Sequence, residues 1–292
     1  MRYFENLHPI CIFIYFVAVI GMTLACFHPI MLLLSLTGAF FFLMRIKGGK
    51  GAGMQLWFVS SIFLFIAVAN PLVNHRGVTL LGMFLNQWIT LEAIAYGLTA
   101  GMSLAALILW FGCYSEVMTS EKFLYLFGKI APASALLISM ALQLVPKLNR
   151  QLGEIRESQE MLRPAKKNFG GKVGTAIRHT STLVGWSLEG AVEQTDSMKA
   201  RGYGLKRRTT FHLFHFESRD FRFLCGVLIL FGICAIARAF GHGTMEFYPR
   251  MDAVITGQSG IVLYILFGVL AYLPAILEGK EALVWRYYGL TK

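Results

Sequence analysis

Long stretches without a charged side chain, separated by short charged segments, make up most of this chain. The first stretch, Pro9–Met44, is uncharged over 36 residues, and as one helix it would measure about 54 Å. The hydrocarbon core of a bilayer is about 30 Å thick and needs about 20 apolar helical residues. Because a proline can end one helix and start the next, His28-Pro29 predicts two spans, residues 9–27 and 29–45.

Four later uncharged stretches predict the other spans of a bundle of about six. They cover residues 52–75, closed by Asn70-Pro71, and then residues 93–115, 223–237 with its continuation, and 253–277. Val78–Leu91 is apolar but short, so it is expected to lie at the interface or to re-enter the bilayer. The predicted fold class is all-α, a polytopic membrane helical bundle.

The polar interval between the fourth and fifth spans predicts a chain of three parts. Residues 1–115 are expected to form an N-terminal transmembrane bundle, and residues 223–292 a transmembrane hairpin with a cytoplasmic tail. Residues 116–222 are too long for a simple connection, so a cytoplasmic module with its own structure is expected there.

Two amphipathic helices are predicted within this cytoplasmic module. One carries an apolar stripe between its helix breaks at Pro146 and Pro164, formed by Leu144, Leu148, Leu152, Ile155 and Leu162. The other ends at Gly202 and Gly204, where glycine provides a left-handed cap; its stripe consists of Val173, Ile177, Val184, Leu188, Val192 and Met198. Crossed helices could bury both stripes against each other.

Each of the two predicted helices has an arginine at its tip, Arg163 and Arg201. A solvated helix end is one interpretation, because a cation there complements the helix dipole by about 0.3–1 kcal/mol. Two similar tips also suggest two similar binding sites on partner molecules. Spacing alone leaves both interpretations open.

The composition excludes a soluble globular domain. Hydrophobic residues make up 56% of the chain and charged residues 15%, against about 45–50% and about 25% in soluble domains. Disorder is also excluded, because it needs low hydrophobicity and high charge. The five cysteines form no Cys-x-x-Cys pair, so neither a metal site nor a disulfide framework is expected.

The basic residues are concentrated on one side of the predicted spans. With both termini inside, 24 of the 27 Lys and Arg residues lie on the inner segments, and the exceptions are Arg76, Arg238 and Arg250. Short cytoplasmic loops are rich in Lys and Arg, so both termini are predicted to be cytoplasmic. The net charge of +11 is then mostly a property of the cytoplasmic segments, which would contact anionic lipid. Binding to nucleic acid is not favoured, because no nucleic-acid-binding motif is present.

Enzymes and secondary transporters are the alternatives from other functional classes. No HExxH, GxSxG, paired-carboxylate or GxxxxGK[ST] motif is present, so neither a hydrolase nor an ATPase is indicated. His212 and His215 lack a third ligand nearby, and Glu92 is expected to be a helix N-terminal charge. A secondary transporter would show inverted repeats, which the first and last pairs of spans do not.

The end of the second amphipathic helix resembles a known coupling motif. Ser197-Met198-Lys199-Ala200-Arg201-Gly202-Tyr203-Gly204 is similar to the second Ala-Arg-Gly motif of the T component of energy-coupling factor (ECF) transporters, the family that includes the cobalt transport membrane protein CbiQ. The supporting matches are Asn70-Pro71-Leu72, Gly77-Val78-Thr79, Ile89-Thr90-Leu91-Glu92 and Leu142-Gln143-Leu144-Val145-Pro146, within about residues 70–205. The first motif departs from the family, with Leu162-Arg163-Pro164 in place of Ala-Arg-Gly.

The resemblance implies a non-catalytic scaffold of an ABC importer for a micronutrient such as a vitamin or a transition-metal ion. Its partners would be two ABC-type ATPase subunits, a substrate-binding S component and the bilayer of a bacterial or archaeal cytoplasmic membrane. ATP and magnesium would bind the ATPases, and this chain would need no cofactor. The implied coupling residues are Met198, Ala200, Arg201 and Gly202 at one tip and Leu162 and Arg163 at the other.

Overall fold

The structure, a computed structural model, describes residues 4–74, 77–84, 87–128, 131–162, 169–205, 214–248 and 257–287. Within these ranges a 3-10 helix, Phe4–Asn6, precedes eight α-helices and one β-hairpin. The helices are α1 (Pro9–Ala25), α2 (Pro29–Val73), α3 (Leu91–Val117), α4 (Ser120–Gly128), α5 (Pro132–Leu162), α6 (Phe169–Ala200), α7 (Ser218–Ala239) and α8 (Gly257–Tyr287). The hairpin strands are β1 (Leu80–Phe84) and β2 (Gln87–Thr90).

The chain divides into two compact units. The first consists of Met1–Lys122 and Phe214–Lys292, and the second of Phe123–Leu213. The first unit therefore holds α1, α2, α3, α7 and α8, while the second holds α5 and α6. The division at residues 115 and 222, and the cytoplasmic location of the middle part, stay predictions.

Five helical segments of the first unit are long and apolar enough to cross a membrane. They are Pro29–Gly49, Gly51–Val73, Leu91–Val117, Ser218–Ala239 and Gly260–Lys280. The remaining helix of the bundle, α1, is apolar but has only 17 residues, the lower end of the spanning range. The prediction of a multi-pass helical membrane bundle is confirmed at this level.

The predicted break between the first two spans is confirmed. Helix α1 ends at Ala25 and α2 begins at Pro29, with His28 as its N-cap. The His28 Nδ1 accepts a hydrogen bond from the Ile30 N–H at 3.3 Å. Proline suits the first helical position because the missing N–H would have no intrahelical partner there, so this break is a local property of the sequence.

Helix α2 is interrupted at Gly48, where φ is +68°. The half before Gly48 runs parallel to α3. The Trp110 Nε1 donates to Ser35 Oγ at 2.9 Å, and one turn further along both helices the Cys113 Sγ donates to the Ala39 carbonyl at 3.7 Å. A positive φ is readily adopted only by glycine, which makes Gly48 the point where the chain changes direction.

The half of α2 after Gly48 runs antiparallel to α3, and glycines on α3 allow it to pack closely. A methyl group added at Gly101 would lie 3.1 Å from the Phe63 carbonyl oxygen, and one added at Gly97 would lie 3.1 Å from the Asn70 Cβ. The Asn70 amide also donates to the Ala93 carbonyl at 2.9 Å. These contacts make α2 a helical hairpin with α3 packed against both of its arms.

Aromatic side chains fill the centre of the bundle. Phe4, Tyr15, Phe16, Phe42 and Trp110 are all at most 1% exposed. Their rings make several edge-to-face contacts with centroids 5.3–6.2 Å apart, a geometry worth about 0.5–1.5 kcal/mol per pair beyond burial. This core joins the N-terminal residues to α1, α2 and α3.

A buried lysine ties the N-terminal segment to the end of α3. The Lys122 Nζ donates to the Glu5 carbonyl at 2.7 Å and to the Val117 carbonyl at 3.0 Å. Val117 is the last residue of α3, so the ammonium satisfies a carbonyl that has no partner within the helix. Burial lowers the pKa of Lys122, and the nearby Glu5 carboxylate opposes this shift.

The apolar segment between α2 and α3 forms the β-hairpin and not a spanning helix. Strands β1 and β2 are antiparallel and have five and four residues, while a transmembrane strand needs about 9–11. As expected, the described residues of this segment contain no helix that could span, and the all-α fold class holds with this hairpin as the one pair of strands in the described residues. Its location relative to the lipid stays a prediction.

Candidate functional site

The candidate site is the C-terminal end of α6. Two hydrogen bonds close this end, from the Tyr203 N–H to the Met198 carbonyl at 3.0 Å and from the Gly202 N–H to the Lys199 carbonyl at 2.9 Å. Together they form a Schellman motif, in which the residue after the C-cap adopts a left-handed conformation. Gly202 has φ of +85°, so the predicted glycine cap is confirmed.

This cap presents Arg201 at the tip of a 32-residue helix. Ala200 is the last helical residue, and both Ala200 and Arg201 are exposed. The Arg201 side chain forms no ion pair or hydrogen bond with the part of the chain that the structure describes. An exposed guanidinium offers five donors in a rigid fork suited to a carboxylate of another molecule.

The cap predicts the effect of Gly202→Ala. Alanine at φ of +85° is strained, which costs about 1 kcal/mol or more, and its Cβ would lie 3.1 Å from the Leu205 Cδ1. We expect the last turn of α6 to fray while the bundle keeps its stability. Hydrogen exchange of the backbone amides of residues 202 and 203 would show this as faster exchange than in wild type. Unchanged protection of both amides would contradict the role given to the cap.

The other predicted tip lies at the end of α5. This helix ends at Leu162, where Met161 and Leu162 are 86% and 85% exposed. Arg163 and Pro164 lie outside the described residues. Of the two arginine tips, the structure therefore describes the one with Arg201. The similarity of the two tips stays a prediction.

The predicted helix break at Pro146 is not observed. Helix α5 runs from Pro132 to Leu162 and contains this proline. An interior proline removes one backbone hydrogen bond and disfavours the helix, but Leu142 and Pro146 are both exposed. Solvent or lipid surrounds this part of α5, so the carbonyl left without its helical donor is not trapped inside a packed core.

Helices α5 and α6 cross, but the two apolar stripes do not bury each other. They meet where the Gln159 amide donates to Thr182 Oγ1 at 3.3 Å and the Lys147 ammonium lies 5.0 Å from the Trp186 ring centre. Ile155 is buried near this crossing, while Ile177 remains 64% exposed. Four more residues of the α6 stripe are also exposed, namely Val173, Val184, Leu188 and Val192, while Met198 is half-buried. The expectation of mutual burial is wrong, because most of the α6 stripe is exposed.

Glu92 has a larger role than the sequence indicated. It lies in the first turn of α3 as predicted, and its carboxylate accepts bonds from the Thr79 hydroxyl at 2.7 Å and from the Thr79 and Val78 N–H groups at 3.2 and 3.4 Å. These donors belong to the segment that leads into the hairpin. Gly77 allows the approach, because a Cβ there would lie 2.6 Å from Glu92 Oε2.

No metal centre emerges among the described residues, which contain no group of three or more His, Cys, Asp or Glu side chains able to hold an ion. Of the histidine pair considered above, His212 lies outside the described residues and His215 within them. Four of the five cysteines are buried as separate thiols in the bundle, namely Cys11, Cys26, Cys113 and Cys234.

Comparison with known proteins does not assign the chain to a family. Neither protein-family models nor curated proteins gave a match to this sequence. The structure and the sequence together describe a multi-pass helical membrane protein with a second helical unit, in which the end of α6 carries an exposed arginine. The resemblance at residues 197–204 belongs to the proposal that follows.

Proposed function

We propose that this protein is the T component of an ECF-type importer, the transmembrane scaffold that couples two ATPase subunits to a substrate-binding S component. The observation that carries the proposal is the Schellman-capped tip of α6, which holds Arg201 exposed at the end of a long amphipathic helix. That tip has the Ala-Arg-Gly residues on which the resemblance rests.

The chemistry of the tip supports docking into a groove of a partner protein. Ala200 and Gly202 flank Arg201 with minimal side chains, so the helix end can enter a narrow groove. The arginine can then pair in bidentate fashion with a carboxylate inside it. In the proposed complex, each ATPase subunit binds one helix tip. Arg201 would contact one subunit and Arg163 the other.

The distribution of charge in the first unit supports a cytoplasmic location for that partner. One end of the bundle carries Lys47, paired with Glu116 at 2.8 Å, together with Lys122 and Arg219, which donate to the Glu5 and Asn6 carbonyls. Arg238 donates to the Ala25 carbonyl at the opposite end. By the positive-inside rule, the lysine-rich end faces the cytoplasm, where ATP is available to the partner subunits.

The proposed mechanism needs no catalytic group in this chain. ATP binding and hydrolysis would bring the two ATPases together and apart, and the helix tips would move with them. Because α5 and α6 contact each other at their crossing, movement of one tip is transmitted to the other helix. The S component would respond by tilting and releasing its micronutrient inward.

Affinity purification from the native host tests the proposal. The tagged full-length chain, solubilised in mild detergent, is expected to bring down two ATPase subunits with phosphate-loop motifs and one small membrane protein that binds the substrate. A tagged unrelated multi-pass protein from the same membrane is the control. Recovery of the chain without any ATPase subunit would contradict the proposal and favour a secondary transporter or a membrane enzyme.

A further inference from the structure

The first half of α5 presents an apolar face outward. No residue between 131 and 147 is buried, and Leu137, Ile138 and Val145 are 68%, 51% and 65% exposed. At about 100° per residue, these side chains lie on one face of the helix together with Ala141 and Leu142. The outward face of a helix on a soluble unit is normally polar.

The other face of the same half-helix is already covered by protein. Ala135, Leu136, Ser139 and Met140 are half-buried. Ala135 lies against α4, since a Cβ added at Gly128 would be 3.6 Å from the Ala135 Cβ. The outward apolar face is thus distinct from the face that packs within the second unit.

The outward face carries no charge in the first half of α5 and becomes polar further along the helix. Residues 131–146 contain no charged side chain over 16 positions, about 24 Å of helix, which is too short to span a bilayer. Beyond Pro146 the same face carries Asn149 and Arg156. A helix that leaves a lipid interface and enters water has this pattern.

The connection to the bundle is short and helps to identify what covers the apolar face. Only two residues separate the end of the candidate span α3 at Val117 from the start of α4 at Ser120. Phe123 and Phe127 of α4 are exposed, with ring centres 4.5 Å apart. Phenylalanine is among the residues that form the apolar face of interfacial helices.

We propose that α4 and residues 132–146 of α5 form an interfacial segment, with their apolar faces inserted among the lipid headgroups and upper acyl chains. The second half of α5 leaves the lipid after Pro146. The inference does not rest on the proposed coupling function, because it concerns only the lipid.

Nitroxide accessibility in the full-length protein tests the interfacial segment. Leu137→Cys and Val145→Cys are labelled one at a time in a Cys225→Ser background, because Cys225 is the only cysteine that is not buried. Asn149→Cys and Arg156→Cys, on the same face, are the matched controls. The protein is reconstituted in vesicles of phosphatidylethanolamine and phosphatidylglycerol, and collisions with oxygen and with a water-soluble nickel chelate are compared.

We expect the ratio of oxygen to nickel accessibility to be at least about threefold higher at residues 137 and 145 than at 156, since interfacial helices bury their apolar face about 5–10 Å deep. Equal ratios at all four sites would place the face in water and overturn the inference. Protection of residues 137 and 145 from both reagents would also overturn it, because a protein partner would then cover the face. Ile138→Cys replaces Leu137→Cys if that variant is poorly produced.

Discussion

Charge reversal at Arg201 should remove the ATPase subunits from the purified complex. The Arg201→Glu variant is expected to retain at most about one-tenth of the ATPase recovered with wild type, because breaking a buried charge pair at an interface costs about 2–5 kcal/mol. The side chain is exposed in this chain, so the variant should fold normally. Quantitative mass spectrometry of the purified material, scaled to the tagged chain, measures the loss.

Lys199→Glu is the matched control for this prediction. Lys199 also lies exposed in the last turn of α6, and its replacement by glutamate changes the charge by the same two units. It lies two residues before Arg201 and therefore points to another side of the helix. We expect it to retain most of the ATPase. Equal loss in both variants would indicate a general electrostatic effect of the basic tip, and no loss in either would show that Arg201 is an ordinary helix end.

Glu92→Ala should lower the unfolding temperature of the bundle, since hydrogen bonds to a charged group are stronger than those between neutral groups and donors left without partners are costly. The carboxylate is the acceptor for the Thr79 hydroxyl and for the Thr79 and Val78 N–H groups. Without it, the segment that enters the hairpin loses its attachment to α3. Thermal unfolding in detergent, followed by tryptophan fluorescence, measures the effect.

Glu92→Gln distinguishes the hydrogen bonds from the shape of the side chain. Glutamine keeps one oxygen acceptor in nearly the same volume, so we expect about half the loss seen with alanine. A Thr79→Val variant should resemble Glu92→Gln, because it removes only the 2.7 Å hydroxyl bond. If all three variants unfold at the wild-type temperature, the carboxylate does not hold the hairpin.

Features that depend on neighbouring residues in the chain could be predicted from the sequence. His28-Pro29 separates two helices because the cap and the proline act within a few residues. Gly202 closes α6 for the same reason, since its positive φ and both cap bonds lie within six residues. The placement of the five candidate spans followed from the uncharged stretches, whereas the first predicted span, residues 9–27, is a shorter apolar helix of 17 residues.

Features that join distant parts of the chain could not be predicted. The Lys122 ammonium finds the Glu5 carbonyl 117 positions away, and nothing in either local sequence indicates that pairing. An apolar stripe shows which face of a helix avoids water but not what covers it, so the exposure of Ile177 was unexpected. Pro146 lies inside α5 because its surroundings are open, a property of the fold and not of the residue.

The reversal at Gly48 has a consequence for how the chain enters the membrane. Pro29–Gly49 and Gly51–Val73 are joined with almost no connecting loop, so there is no polar segment between them to carry across. The two arms can insert together as a hairpin, with Arg45, Lys47 and Lys50 around its tip. A short turn does not by itself fix the side of the membrane on which the tip lies, so the predicted cytoplasmic orientation of this turn rests on its three basic residues.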